Sequence, residues 1–126
     1  MPCAVGNTWR TTELGLLLVV ANTAVNYDDA LTCCCNNGGH LVRVDSVGVK
    51  TLFDQELDGS NDQLWIGGRR FDSNVSGFVF SDGTPITVTF WEAGEPNEEA
   101  SCIRRVREYW KDRDCQQQYG FVCQRS

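Results

Sequence analysis

The stretch from Trp91 to Cys123 decides the fold. It reads Trp91-Glu92-Ala93-Gly94-Glu95-Pro96-Asn97-Glu98-Glu99-Ala100-Ser101-Cys102, then a short arm, then Trp110-Lys111-Asp112-Arg113-Asp114-Cys115, and closes with Tyr119-Gly120-Phe121-Val122-Cys123. Carboxylate and amide side chains crowd the stretch on both sides of Cys102: Glu95, Asn97, Glu98, Glu99, Asp112 and Asp114. Hard cations such as Ca²⁺ take six to eight oxygen ligands of these kinds. A bridge between Cys102 and Cys115 would bring the two acidic clusters together, and closing so short a loop would stabilise by roughly 3 kcal/mol. A solvated surface turn is the plainer reading of the same acids.

Outward from this stretch, other short motifs fall into order. Trp65-Ile66-Gly67 reads as a central strand, with Trp65 in the core, because aromatic strand residues pack. Asn36-Asn37-Gly38-Gly39 ends a helix, since Gly and Asn accept the left-handed cap. That helix starts at Asn26, carries Asp28 and Asp29 at its positive end, and turns Tyr27, Ala30, Leu31 and Cys34 to the core.

Together, Gly38-Gly39-His40-Leu41, Trp65-Ile66-Gly67, Glu95-Pro96-Asn97, Trp110-x-Asp112-x-x-Cys115 and Phe121-Val122-Cys123 resemble a C-type lectin-like domain. The motifs run in that family's order over residues 16–125. The resemblance implies an α+β fold with two helices, mostly antiparallel sheets and a long irregular loop region. It also implies the disulfides Cys34–Cys123 and Cys102–Cys115. One Ca²⁺ site is implied at Glu95, Asn97, Glu99 and Asp112, with Glu98 the spare. Carbohydrate would bind at Glu95, Asn97, Glu99, Lys111 and Asp112, and Glu-Pro-Asn accompanies mannose-type sugars. Lys111 departs from the family pattern, which has Asn there. An ammonium has no acceptor and cannot ligate a cation. It either turns away and leaves a weaker site, or it puts its charge among the carboxylates in place of the ion. Arg69 and Arg70 stand where the family's second calcium site has acids, so that site is expected to be missing.

At 126 residues the chain is read as one domain, 1–126, with 1–13 an N-terminal extension. Leu16 to Val20 is a continuous apolar run, predicting a strand buried on both faces. Asp45 or Ser46 caps a second helix with Val49, Leu52, Phe53 and Leu57 inward, ended by Asp58-Gly59. Phe78-Val79-Phe80 is a further strand stopped at Asp82-Gly83, and the segment from Gly83 to Ala100 is irregular. Cys102 to Val106 and Phe121 to Arg125 close the sheet.

No apolar run reaches eighteen residues, so no membrane span is expected. The net charge of −6 argues against nucleic acid as a partner. Seven cysteines in so short a chain point to an oxidising compartment and secretion, which the sequon at Asn74 fits. Beyond the two pairs, Cys3, Cys33 and Cys35 are an odd number, so one is free or joins two chains as a homodimer. Zinc at Cys33-Cys34-Cys35 is a poor reading, since consecutive helical residues point about 100° apart. His40 is expected to be structural. Arg104, Arg105 and Arg107 near Lys111 form a basic patch that either meets anionic sugars or pairs with Glu98 and Glu108. The expected function is a secreted calcium-dependent lectin binding mannose-type glycans. The alternative is a calcium-independent member binding a protein or anionic ligand. Glycoside hydrolysis needs two carboxylates flanking a bond, one with a raised pKa, and nothing in the sequence builds an apolar pocket around Glu95 or Asp112; the chain is not expected to be an enzyme.

Overall fold

The computed structural model describes residues 9–11, 15, 17–56, 63–70, 77–80, 83–95 and 101–125. The elements are β1 (Arg10–Thr11), β2 (Leu17–Val25), α1 (Tyr27–Asn36), β3 (His40–Leu41), α2 (Val47–Glu56), β4 (Gln63–Arg69), β5 (Cys102–Val106), β6 (Tyr109–Arg113) and β7 (Tyr119–Arg125). The strands form one seven-stranded sheet ordered β1-β2-β7-β4-β5-β6, with β3 also on β7. Pairing is antiparallel except between β4 and β7. The architecture is the expected α+β one.

Strand alternation sorts the core into two layers. Trp65, Cys102, Phe121 and Cys123 pack with Tyr27, Ala30, Cys33 and Cys34 of α1 on one face. Leu64, Ile66, Ile103 and Val122 pack with Phe53 of α2, Phe78 and Trp110 on the other. This is why β4 reads as an unbroken apolar run: it is covered on both sides. Trp65 is fully buried, meets Tyr27 and Tyr119 edge-on, and donates its indole N–H to the Val25 carbonyl at 2.9 Å.

Helix α1 begins as its sequence dictates. The Asn26 side chain accepts from the Asp29 N–H at 2.9 Å, and Asp28 and Asp29 stand in the first turn. It ends where Gly38 takes φ 80°, with the Gly39 N–H returned to the Cys34 carbonyl. Ser46 caps α2, its hydroxyl accepting from the Val49 N–H; Leu57 and Asp58-Gly59 lie outside the described residues.

Three expectations change. The apolar run from Leu16 continues as a strand to Val25, and Val20 is 37% exposed, so β2 is not buried on both faces. Phe78-Val79-Phe80 is not a full strand: only Val79 bridges, to Arg69 and Pro85, while Phe78 and Phe80 turn inward. Trp110 to Arg113 lie in a strand the sequence did not suggest, β6, which pairs along its whole length with β5.

The bonds Cys34–Cys123 and Cys102–Cys115 are both present, with Cα atoms 5.3 Å apart in each. Cys33 is also disulfide-bonded, through a partner outside the described residues. Its sulfur and that of Cys34 are therefore unavailable to zinc. Cys35 is exposed and free. The Tyr27 N–H donates to the Cys115 carbonyl at 3.0 Å, tying α1 to the smaller disulfide loop.

Candidate functional site

Strand β6 supplies the centre of the site. Its residues alternate, with Trp110 and Asp112 buried and Lys111 and Arg113 half-exposed. The Trp110 backbone donates to Phe90 and accepts from Glu92, so the start of the irregular loop lies beside β6. The rings of Phe90 and Trp91 both meet Trp110 edge-on and pin that segment. A turn follows, with Gly94 at φ 87° and the Glu95 N–H on the Glu92 carbonyl at 2.9 Å. A residue with a Cβ would be strained at that φ. Glu95 leaves this turn half-buried. Asn97, Glu98 and Glu99 lie outside the described residues.

Of the four expected metal ligands, Glu95 and Asp112 are thus described. Asp112 is 0% exposed and faces Arg70, itself 1% exposed, with Nη2 3.9 Å from Oδ2. The Arg70 backbone N–H donates to the Ser101 carbonyl, and its guanidinium carbon lies 5.1 Å from the centre of the Phe78 ring. The three guanidinium nitrogens make no hydrogen bond, so their charge is met through space by the Asp112 carboxylate. Neighbouring Arg69 points the other way, into an ion pair with Asp28 at 2.5 Å. Lys111 pairs outside the expected ligand set. Its Nζ sits 2.9 Å from Glu92 Oε2, both side chains being partly exposed.

Of the expected Ca²⁺ donors within the described residues, Asp112 faces the buried Arg70 guanidinium. The residue in the family's Asn position, Lys111, pairs with Glu92, which is not among the expected ligands. Among the described residues no three His, Cys, Asp or Glu side chains gather as a metal cluster. The pairing of Arg70 with Asp112 was not read from the sequence, where Arg69 and Arg70 look equivalent.

The expected basic patch is also redrawn. Arg105 is buried on the α2 side, 3.2 Å from Asp54, because it shares the face of Ile103. The outward face instead holds Arg104, directly opposite Lys111, and Arg113, opposite Cys102. The side chains of Arg104 and Arg113 both reach the Tyr119 hydroxyl. His40 is structural, its Nδ1 2.8 Å from the Leu41 carbonyl oxygen. Tyr27, whose hydroxyl accepts from the Gly68 N–H at 3.0 Å, has its pKa raised to about 12 by burial.

Comparison with known proteins agrees with this architecture. The sequence profile of the Lectin C-type domain matches residues 23–125. Lymphocyte antigen 75 of Mesocricetus auratus is 27% identical over 119 residues, covering 88% of this chain; the chain spans only 7% of that relative's length. The mouse scavenger receptor C-type lectin carbohydrate-recognition domain superposes with a TM-score of 0.86 at 19% identity, covering 96% of this chain and 97% of that one. A calcium-independent type II antifreeze protein superposes at 0.78 with 24% identity, covering 100% and 97%. With the profile matching residues 23–125, most of the sequence, the chain belongs to the C-type lectin domain family.

Proposed function

We propose that this domain is a saccharide-recognition module, not an enzyme, whose binding site works without a bound Ca²⁺. The observation that carries the reading is Asp112, wholly buried against Arg70. A carboxylate held inside by a cation is not free to ligate another. Arg70 meets Asp112 on one face of β6, and Lys111 meets Glu92 on the other. The fold accommodates a site without calcium, since it also builds an antifreeze protein described as calcium-independent. Lys111 in β6 and Glu95 in the loop are half-exposed, one a donor and one an acceptor, the two kinds of group that sugar hydroxyls meet. The disulfides support an oxidising, extracellular setting, and the free, exposed Cys35 is where two chains could be joined.

A second reading is a calcium-dependent, mannose-type lectin. It is favoured by the sequence Glu95-Pro96-Asn97 with Glu99, and it requires Asp112 to leave Arg70. Saccharide binding measured by calorimetry in EDTA and again in calcium separates the two. Equal affinities support the calcium-free reading. Binding of mannose oligosaccharides that vanishes in EDTA supports the second.

A further inference from the structure

The register of β5 and β6 sets up an electrostatic conflict. Arg104 lies directly opposite Lys111, and Arg113 follows two residues along the same strand face. Like charges directly opposite in an antiparallel pair destabilise it. Lys111 finds Glu92. Among the described residues Arg104 meets neutral groups: the Gln63 side-chain oxygen and the Tyr119 hydroxyl, the latter at 3.5 Å. Its Nε has no hydrogen-bond partner. Arg113 Nε reaches the same hydroxyl at 3.0 Å, so two guanidinium groups converge on one phenol oxygen. In a chain of net charge −6 this is a local concentration of cations held together on a rigid sheet.

We propose that the outer face of β5 and β6, formed by Arg104, Lys111, Arg113 and Tyr119, binds an anionic saccharide through its sulfate or carboxylate groups. The proposal rests on the saccharide-binding reading above and names its ligand class. Planar guanidinium groups match the oxygens of such anions, and hydrogen bonds to charged groups are stronger than neutral ones. An anion here relieves the repulsion between Arg104 and Lys111. The half-exposed Tyr119 ring packs on Trp65 at 5.0 Å and carries the Arg104 guanidinium over it at 5.4 Å, which holds that guanidinium in place on the face.

The test titrates the full chain in EDTA with a sulfated oligosaccharide, its unsulfated counterpart and polyglutamate. The sulfated saccharide should bind, more weakly as salt rises, and the unsulfated one should bind markedly less. Arg104→Gln and Arg113→Gln should each weaken binding about tenfold. Lys111→Gln should weaken it too, while Arg107→Gln, in the exposed turn after β5, should not. Glutamine can still reach Tyr119, and unchanged melting temperatures identify variants that remain folded. Equal binding of both saccharides overturns the anionic assignment while leaving saccharide recognition standing. Unchanged affinity in all three face variants overturns the location. Polyglutamate binding as tightly as the sulfated saccharide overturns the saccharide class. Binding seen only in calcium overturns the calcium-free reading, and the same three variants then still decide whether this face takes part.

Discussion

Replacing Arg70 with Met keeps the apolar stem and removes the charge that Asp112 faces. The two groups are 1% and 0% exposed and 3.9 Å apart. Two unit charges at that distance attract by about 4 kcal/mol at an effective dielectric of ~20. Removing one partner of a buried pair leaves the other uncompensated and costs about 3–5 kcal/mol. A domain of this size has only some 5–15 kcal/mol in all, so the loss is a large fraction. Asp112→Asn should cost a similar amount, because it strands the guanidinium instead. The double variant removes both charges and should regain most of the loss. Urea unfolding of the four proteins closes a double-mutant cycle, and the expected coupling is about 3 kcal/mol. Additivity to within about 0.5 kcal/mol is what independent residues show. That result would mean Arg70 does not hold Asp112, and the argument against calcium would lose its basis.

Lys111→Asn restores the family's amide but leaves Asp112 with Arg70, so calorimetry should detect no calcium binding; combined with Arg70→Met it should. The Tyr27 phenol, raised from 10 to about 12 by burial, favours the folded state only while protonated. Its contribution is fully present below pH 10 and is lost as pH rises from 10 toward 12, by about 3 kcal/mol in all. Tyr27→Phe should therefore flatten the fall of the urea midpoint over that window, and an unchanged slope would contradict the assignment. Gly67 is packed so closely that a Cβ would stand 2.7 Å from the Val42 carbonyl oxygen and 3.1 Å from that of Leu41. Gly67→Ala should destabilise by about 1–3 kcal/mol in the same unfolding assay, and a neutral result would show that β4 and the Leu41–Val42 segment can part.

The sequence carried most of the fold because local signals and family motifs agreed. Asn26, Asp28, Asp29 and Gly38 bound α1 by capping chemistry alone, and Leu64-Trp65-Ile66 announces a central strand. Cys34 was separable from Cys33 and Cys35 only by its distance from Gly38-Gly39. What the sequence did not show depends on which face a residue occupies. Arg69 and Arg70 look equivalent in sequence, yet one reaches Asp28 and the other the core. Arg104 and Arg105 differ in the same way, and the charged face could be drawn only once the β5–β6 register was known. Strand β6 was obscured because Lys111, Asp112 and Arg113 interrupt the apolar alternation expected of a strand; the carboxylate becomes buriable only with Arg70 beside it.

The most direct test of the calcium-free site is the melting temperature of the wild-type domain with millimolar Ca²⁺ and with EDTA. A ligand of the native state stabilises by about 2.7 kcal/mol at a hundredfold excess over its Kd, which in a domain of this size is a shift of several degrees. With Asp112 already held by Arg70, the two curves should coincide. A melting temperature several degrees higher in calcium would show that Asp112 and the loop acids ligate the ion, and would contradict the account.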